Sequence, residues 1–303
     1  MPYQTQIAML KKYLPFLISV LSLTAYAQTP CSGGTAAGYP CDDLTLQSFM
    51  NSNTFRKGGD SFIEAQDSWG WTDTTNNKEY AIVALDVGTV FVDITDPVNP
   101  IYVGRLDSHT GSSLWRDVKV YQNHAYIVSD SNGNHGMQVY DMTQLESISS
   151  PPNTNLSETA WITWGTSGSN RGRAHNIIIN EDTGFAYVIG VSPYNSGGPV
   201  FIDLSTPASP SVVGVYSAAG YCHDAQVVVY NGPDTDYTGR EIMIGSFSSS
   251  DFVRVLDVTN KSSVSLISSI GYAGKQYTHQ GWFTEDQKYF IVGDELDEQN
   301  SGY

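Results

Sequence analysis

The 303-residue chain is poor in basic residues and in long apolar runs. It has 15 Lys and Arg against 31 Asp and Glu, a formal net charge of −16, and no basic cluster follows the first dozen residues. Binding to nucleic acid through phosphate contacts is therefore not expected. After residue 27 no apolar stretch approaches the length of a membrane helix, so the mature chain is predicted to have no transmembrane span.

The sequence also lacks the short motifs of the common enzyme classes. It contains no G-x-S-x-G nucleophile turn, no H-E-x-x-H zinc helix, no phosphate-binding glycine loop and no C-x-x-C pair. No catalytic residue can be named from a motif, and whether the chain is an enzyme stays open.

Cysteine is scarce, with three residues in the whole chain. Cys31 and Cys41 flank the flexible stretch SGGTAAGYP, and we expect them to form a disulfide within an N-terminal segment, residues 28–67. Cys222 is left without a partner, and beside a strand it is expected to be a small buried apolar residue.

The N-terminus has the pattern of a targeting segment. Lys11 and Lys12 precede the apolar run YLPFLISVLSLTAYA, and Ala25-Tyr26-Ala27 forms a small-x-small cleavage pattern. Residues 1–27 are therefore predicted to be a signal peptide, with an uncleaved anchor as the alternative. The mature chain is expected to be secreted, outside the cell or on the bacterial surface, with the periplasm as another location.

Alternating apolar and polar segments fill the chain from Trp69 onward, with turn residues between them. RDVKVYQN, AHNIIINE, CHDAQVVVYN and THQGWFTE each open a unit of four such segments. Four short strands recurring every ~40–50 residues indicate blades of an all-β propeller. A β-sandwich is the alternative, but it does not require this fixed order of four.

Residues 68–303 are predicted to hold about four and a half four-stranded blades. The blades start near these residues: Trp69, Arg116, Arg173, Tyr221 and Tyr277. The fifth stops before its third strand, and an open ring leaves pairing edges exposed. C-terminal blades are therefore expected to be missing from this chain. A four-bladed ring with a stray hairpin is the alternative.

Several long motifs resemble one bacterial family. VFVDITDPVNPIYVG is similar to the LVIVD repeat, and AHNIIINEDTGFAYVIG, GYCHDAQVVVYNGPD and THQGWFTEDQKYFIVGDELDE resemble the choice-of-anchor B family. The resemblance implies a secreted or surface-displayed β-propeller with one of several C-terminal anchoring tails, and it implies no established enzymatic activity. The chain departs from the family at its end, DEQNSGY, which has no sorting tail.

Four residues are aligned at the start of the first strand in successive blades: Asp117, His175, His223 and His279. Because first strands line the channel of a propeller, these side chains could converge on a zinc-like or other divalent ion. The alternative is that each histidine hydrogen-bonds the backbone of the neighbouring blade.

Carboxylates form two further patterns. A cluster within GDELDE suits Ca²⁺, with a solvated turn as the alternative, and its members are Asp294, Glu295, Asp297 and Glu298. Another set ends the third strand of each blade and is predicted to hydrogen-bond turn backbone: Asp93, Asp141, Asp203 and Asp257.

The predicted function is a binding or interaction module. Its partner, an unidentified protein or glycan ligand, would contact the open face of the propeller. Four tryptophans near blade starts could stack on such a ligand: Trp69, Trp71, Trp115 and Trp282. Filling space between blades is the alternative role for all four. Two alternative functions stay open: a metal-dependent hydrolase with a divalent ion at the channel mouth, and a calcium-stabilised adhesin.

Overall fold

A computed structural model describes residues 28–61, 63–165, 172–191, 193–248 and 252–301. The predicted signal peptide, residues 1–27, lies outside the described residues. The chain divides into two compact units, Met1–Phe49 with Pro97–Asn99 and Met50–Asp96 with Pro100–Tyr303. No helix in the described part of the chain is long and apolar enough to cross a membrane.

The first unit contains four two-residue strands, which are β1 Thr29–Pro30, β2 Thr35–Ala36, β3 Tyr39–Pro40 and β4 Thr45–Leu46. Strand β1 pairs with β4 and β2 with β3, both antiparallel. A disulfide joins Cys31 to Cys41, whose Cα atoms are 5.8 Å apart. Gly33, Gly34 and Gly38 between them have positive φ, which glycine adopts without strain.

The second unit consists of consecutive antiparallel sheets, which we call blades 1 to 5. Blade 1 has β5 Ala65–Asp73, β6 Lys78–Leu85, β7 Gly88–Asp93 and β8 Ile101–Asp107. Blade 2 has β9 Arg116–Tyr121, β10 His124–Ser129, β11 Met137–Asp141 and, after the intervening β12 Asn153–Leu156, β13 Ala160–Ile162. Strand β12 pairs in parallel with β8, so it extends blade 1 rather than blade 2.

Blades 3 and 4 have four strands each, in chain order. Blade 3 has β14 Asn176–Asn180, β15 Phe185–Ile189, β16 Val200–Asp203 and β17 Ser211–Val215. Blade 4 has β18 Asp224–Val229, β19 Glu241–Phe247, β20 Phe252–Asp257 and β21 Ser265–Ile270. Blade 5 has β22 Thr278–Phe283 and β23 Phe290–Asp294, followed by the short helix α1 Asp297–Ser301.

The short 3₁₀ helices lie in connections between these strands, at Ser52–Phe55, Met142–Ser147, Tyr194–Gly197 and Thr235–Tyr237. The first strand of each blade contacts the first strand of the next, from β5 through β9, β14 and β18 to β22. An all-β chain of successive four-stranded sheets with adjoining first strands is a β-propeller. The predicted fold class is therefore confirmed.

Apolar side chains fill the spaces between neighbouring blades. Phe91 of blade 1 meets Tyr140 of blade 2 with ring centroids 4.9 Å apart, and Tyr187 of blade 3 packs in one cluster with Met243 of blade 4. Cys222 is completely buried in that same cluster, as predicted. Blades 2, 3 and 4 therefore carry buried apolar residues on both faces of their sheets, because each has a neighbouring blade on either side.

The aspartates that end the third strands all make the same turn. Each carboxylate accepts a hydrogen bond from the backbone N–H two residues later, at Thr95, Thr143, Ser205 and Thr259, over 2.7 to 3.0 Å. Such turns satisfy backbone donors that leave the sheet. The predicted role of Asp93, Asp141, Asp203 and Asp257 is therefore confirmed.

A buried carboxylate ties blade 3 to blade 4. Glu241 at the start of β19 accepts hydrogen bonds over 2.6 to 2.8 Å, and its Oε2 lies 2.6 Å from the Nζ of Lys261. The donors in blade 3 are Asn180, Thr183 and Tyr187, and with Glu241 and Lys261 they form what we call the Glu241 cluster. Side chains of Glu241 and Lys261 are 5% and 8% exposed, so this ion pair is well shielded from water.

Candidate functional site

Three histidines lie in a row on the channel side of blades 3, 4 and 5. The backbone N–H of His175 donates to Ile189, and that of His223 donates to Ser246, so both precede a first strand in the same way. His279 lies at a register shift in β22. The His175 and His223 ring centroids are 4.3 Å apart, and those of His223 and His279 are 4.4 Å apart. We call these three residues the channel histidines.

The predicted equivalence of Asp117 with the channel histidines is wrong by one residue. Counted from the turn aspartate of each blade, Asp117 corresponds to Asn176 and Asp224, and Arg116 holds the histidine position. Because side chains alternate along a strand, a shift of one residue moves a side chain to the opposite face. Aligning WRDV with AHNI and CHDA places Arg116 at that position, so the sequence did contain the signal.

In blade 2 this position is held by Arg116, whose side chain contacts a buried histidine. Nη1 of Arg116 lies 2.8 Å from Nε2 of His135, and Nδ1 of His135 lies 3.0 Å from the carbonyl oxygen of Gly136. A carbonyl accepts, so Nδ1 donates and Nε2 accepts from the guanidinium. Burial and the positive charge of Arg116 lower the pKa of His135 to about 3. Both nitrogens of this neutral ring are therefore in use.

Asp117 instead belongs to a two-carboxyl cluster that links successive blades. Its Oδ1 lies 2.5 Å from Nζ of Lys119, and its Oδ2 accepts from the N–H of Ile177 in the next blade over 2.8 Å. Asp67 likewise accepts from Val118, over 3.2 Å. Burial raises the pKa of Asp117, opposed by the charge of Lys119 and reinforced by the neighbouring Asp67. The two carboxyl groups thus connect three blades through backbone hydrogen bonds, with Lys119 beside both of them.

A carboxylate holds the ring of His175. Its Nδ1 lies 3.2 Å from Oδ2 of Asp130, whose Oδ1 accepts from Nε and Nη2 of Arg173 over 3.1 and 3.0 Å. Burial alone would raise the pKa of Asp130, but hydrogen bonds from His175 and the Ser131 N–H, together with Arg173, hold it below its usual value. Asp130 is thus an ionised partner that fixes the orientation of this imidazole.

His223 is oriented by backbone instead. Its Nδ1 lies 3.0 Å from the carbonyl oxygen of His279 and must donate to it. Burial, with the adjacent His175 and His279, lowers the pKa of His223 to about 3, so the ring is neutral. Among the described residues, Nε2 of His223 has no hydrogen-bond partner. Its backbone bond to the neighbouring blade matches the tie expected from the sequence.

One acidic side chain completes this group. Oε2 of Glu295 lies 3.7 Å from Nε2 of His279, and ligating atoms of His223, His279 and Glu295 all lie within 4.8 Å of one another. The group combines members of the two predicted metal sets, the histidines and the GDELDE carboxylates. Sequence reasoning missed the combination because Glu295 was grouped with its chain neighbours.

Neighbouring carboxylates have other partners. Asp294 accepts from the Tyr272 hydroxyl over 2.6 Å and from the N–H groups of Gln276, Tyr277 and Leu296. Burial opposes ionisation of Asp294, but these hydrogen bonds outweigh it and lower its pKa to about 2. Asp297 begins α1, where it accepts from the N–H of Glu298. Asp294 therefore shapes the turn that presents Glu295.

Two cavities meet at the channel histidines. The first, of about 440 Å³, has Asp67, Asp117, Lys119 and Gln280 in its wall, and we call it the channel pocket. It is also bordered by Trp69, Trp115 and Trp282, which are 40%, 49% and 62% exposed. A second cavity, of about 350 Å³, is lined by Asp130, Tyr221, Tyr277 and Glu295 and shares the three histidines and Trp115.

The four tryptophans near blade starts divide between two roles. Trp71 is 6% exposed, stacks on Tyr80 at 5.1 Å and donates to Asn123 of blade 2, so it fills space between blades. The indoles of Trp69, Trp115 and Trp282 are instead open to solvent at the channel pocket. The pocket therefore offers flat apolar surfaces together with charged and amide groups.

Comparison with known proteins supports the fold and no specific activity. No family model matches the chain, and no curated protein matches it by sequence. A functionally unknown protein from Desulfotomaculum acetoxidans is similar in structure, with a TM-score of 0.51 and 13% identity over 75% of this chain. An auxiliary nutrient binding protein from Bacteroides thetaiotaomicron gives 0.46 at 13% identity over 77%, and the Dos1 propeller gives 0.48 at 11% identity over 84%. The chain spans 62%, 57% and 56% of their respective lengths.

Proposed function

We propose that this chain is an exported β-propeller that binds a glycan at the channel pocket. The observation that carries the proposal is the group of three solvent-exposed indoles around a cavity of about 440 Å³ that also has charged and amide side chains in its wall. Indole faces pack against the C–H faces of sugar rings, and the surrounding carboxyl, amide and ammonium groups can bond sugar hydroxyls. A peptide segment is the competing ligand, and binding assays separate the two.

Substitution of the most exposed indole tests this proposal. Trp282→Ala is expected to weaken glycan binding about tenfold, equivalent to about 1.4 kcal/mol, because one stacking face is lost. The measurement is a glycan-array screen of the purified chain, followed by titration of the retained sugar with tryptophan fluorescence. Tyr289→Ala is the matched control, since Tyr289 is 61% exposed and does not border the channel pocket.

If the array retains no glycan and the chain binds peptides instead, the ligand is a protein partner rather than a sugar. Equal loss in the Trp282 and Tyr289 variants would remove the channel pocket from the binding site altogether. Retention of sugar affinity in Tyr289→Ala with loss in Trp282→Ala would place the ligand at the indoles.

Export is the second part of the proposal. It is supported by Lys11, Lys12, the apolar run that follows and the Ala25-Tyr26-Ala27 pattern, and by the resemblance to LVIVD-repeat and choice-of-anchor B proteins. Expression in a bacterial host, fractionation and N-terminal sequencing test it. Exported protein should begin at Gln28, and deletion of residues 1–27 should retain the chain in the cytoplasm. An exported chain that still begins at Met1 would indicate an uncleaved anchor.

A further inference from the structure

We propose that His223, His279 and Glu295 bind a divalent ion of the zinc type, with one coordination position open toward solvent. The group brings two imidazoles and one carboxylate from blades 4 and 5 to within 4.8 Å of one another. This group adjoins the channel pocket, but none of its ligands is an indole, and neither proposal depends on the other.

The first argument is the orientation of His223. Its Nδ1–H donates to the carbonyl oxygen of His279 over 3.0 Å, so the lone pair of the ring is on Nε2. Histidines that bind metals are held in this way, with the other ring nitrogen donating to a carbonyl or carboxylate. His223 is 7% exposed, and no described residue bonds its Nε2. His223 borders the two cavities and its Nε2 is bonded by no described residue, so this lone pair is available to a ligand.

The second argument is reach. Four ligands around zinc at bond lengths of roughly 2.0–2.2 Å lie roughly 3.4 Å apart. Ligating atoms now within 4.8 Å of one another must therefore approach by at most about 1.4 Å. The side chains of His279 and Glu295 are 30% and 49% exposed, which leaves them room to rotate. His223 is fixed and these two residues close on it.

The third argument is the chemistry of the donors. Calcium and magnesium prefer oxygen ligands throughout, whereas imidazole nitrogen with carboxylate suits zinc and its neighbours in the first transition row. Three protein ligands leave a fourth position for water or for an external ligand. The cavity of about 350 Å³ beside Glu295 provides the space for it.

Metal titration of the purified full-length chain tests the assignment. After removal of metal with a chelator, calorimetry with Zn²⁺ is expected to show one ion bound per chain. His279→Ala and Glu295→Gln should each weaken zinc binding at least about tenfold, since both remove a direct ligand. His124→Ala is the control, because His124 lies on β10 outside the group and should leave affinity unchanged.

Thermal melting of the same samples provides a second readout. Zinc should raise the melting temperature of the unchanged chain and of His124→Ala, but not that of Glu295→Gln, because a ligand that binds only the folded state stabilises it. Variants whose melting temperatures without metal equal that of the unchanged chain exclude a folding defect as the cause.

Three results would overturn the assignment. They are no zinc bound at one ion per chain, zinc affinity unchanged in both His279→Ala and Glu295→Gln, or stoichiometric Ca²⁺ that is lost on changing Asp294 and Asp297. Loss of zinc with sugar binding retained would leave the glycan proposal intact. Loss of sugar binding in Trp282→Ala with zinc binding retained would leave the zinc assignment intact.

Discussion

Blades 3 and 4 meet in two polar zones that differ in how their buried groups are used. In the Glu241 cluster, one carboxylate accepts from four side chains of both blades. At the channel, His223 uses Nδ1 alone, and among the described residues its Nε2 has no hydrogen-bond partner. The carboxylate of Glu241 is satisfied from within the protein, whereas His223 borders two cavities and its Nε2 has no partner among the described residues.

The difference separates a structural site from a binding site. A buried group whose lone pairs are all occupied can be removed only at a large cost in folding free energy, and it has nothing to offer a ligand. A lone pair that faces a cavity and has no protein partner contributes little to folding, and it is available to an ion or a hydrogen-bond donor. The comparison therefore predicts opposite responses to substitution at the two zones.

The largest effect is expected in the Glu241 cluster. Glu241→Ala leaves the Lys261 ammonium buried without its counter-ion and should lower the free energy of unfolding by about 3–5 kcal/mol. Urea denaturation followed by tryptophan fluorescence measures it. Asp182→Ala, at an exposed site on the neighbouring hairpin, should change stability by less than about 0.5 kcal/mol. A loss below 1 kcal/mol in Glu241→Ala would contradict the structural role of the cluster.

An intermediate loss of stability is expected when the pH is lowered, because of His135, whose two ring nitrogens both have hydrogen-bond partners. Its folded pKa is about 3, below the ~6.5 of an unfolded histidine, so only the unfolded state gains a proton as the pH falls below 6.5. Stability is then lost between pH 6.5 and pH 3. From pH 6.5 to pH 5 the loss from this residue should be about 2 kcal/mol.

His135→Asn isolates this contribution. Unfolding free energies of both chains are measured from pH 8 to pH 5, and their slopes rather than their levels are compared, because the variant also loses the bond to Arg116. The unfolding free energy should fall less steeply with decreasing pH in His135→Asn than in the unchanged chain. His223 contributes the same pH dependence to both chains. Parallel curves would mean that folding does not lower the pKa of His135.

The smallest effect is expected at the channel. His175→Gln removes one hydrogen bond to Asp130, which keeps its two bonds from Arg173, so the unfolding free energy should fall by about 1 kcal/mol. Urea denaturation under the same conditions as for Glu241→Ala makes the values comparable. A loss of 3 kcal/mol or more would show that the histidine row is a structural tie, and the contrast between the two zones would fail.

Local patterns predicted most of the fold, because each blade is built from short alternating strands with turn residues between them. AHNIIINE contains β14, REIMIGS contains most of β19, and the aspartate turns follow from spacing alone. Strand β12 could not be predicted in the same way. NTNL has no apolar alternation, and its parallel pairing to β8 joins residues almost fifty positions apart.

The candidate site was predicted only in part. Recurrence of a histidine before successive first strands is visible in the sequence, whereas the distance from Glu295 to His279 depends on the turn held by Asp294. Glu241 and Tyr187 are 54 residues apart, and no local pattern connects them. Contacts between blades depend on how the sheets pack against each other. Residue pairs that join two blades therefore cannot be predicted from the pattern of a single strand.

Strand β12 also has a consequence for how the molecule opens. It leaves β11 of blade 2, hydrogen-bonds to the outer edge of blade 1 and returns to blade 2 as β13. The pairing of β12 with β8 belongs to the sheet of blade 1, but β12 lies between two strands of blade 2. Neither sheet can therefore open alone without disturbing this pairing. Local opening, which usually follows supersecondary units, should therefore join these two sheets in one cooperative unit whose amide protons exchange with solvent at a common rate.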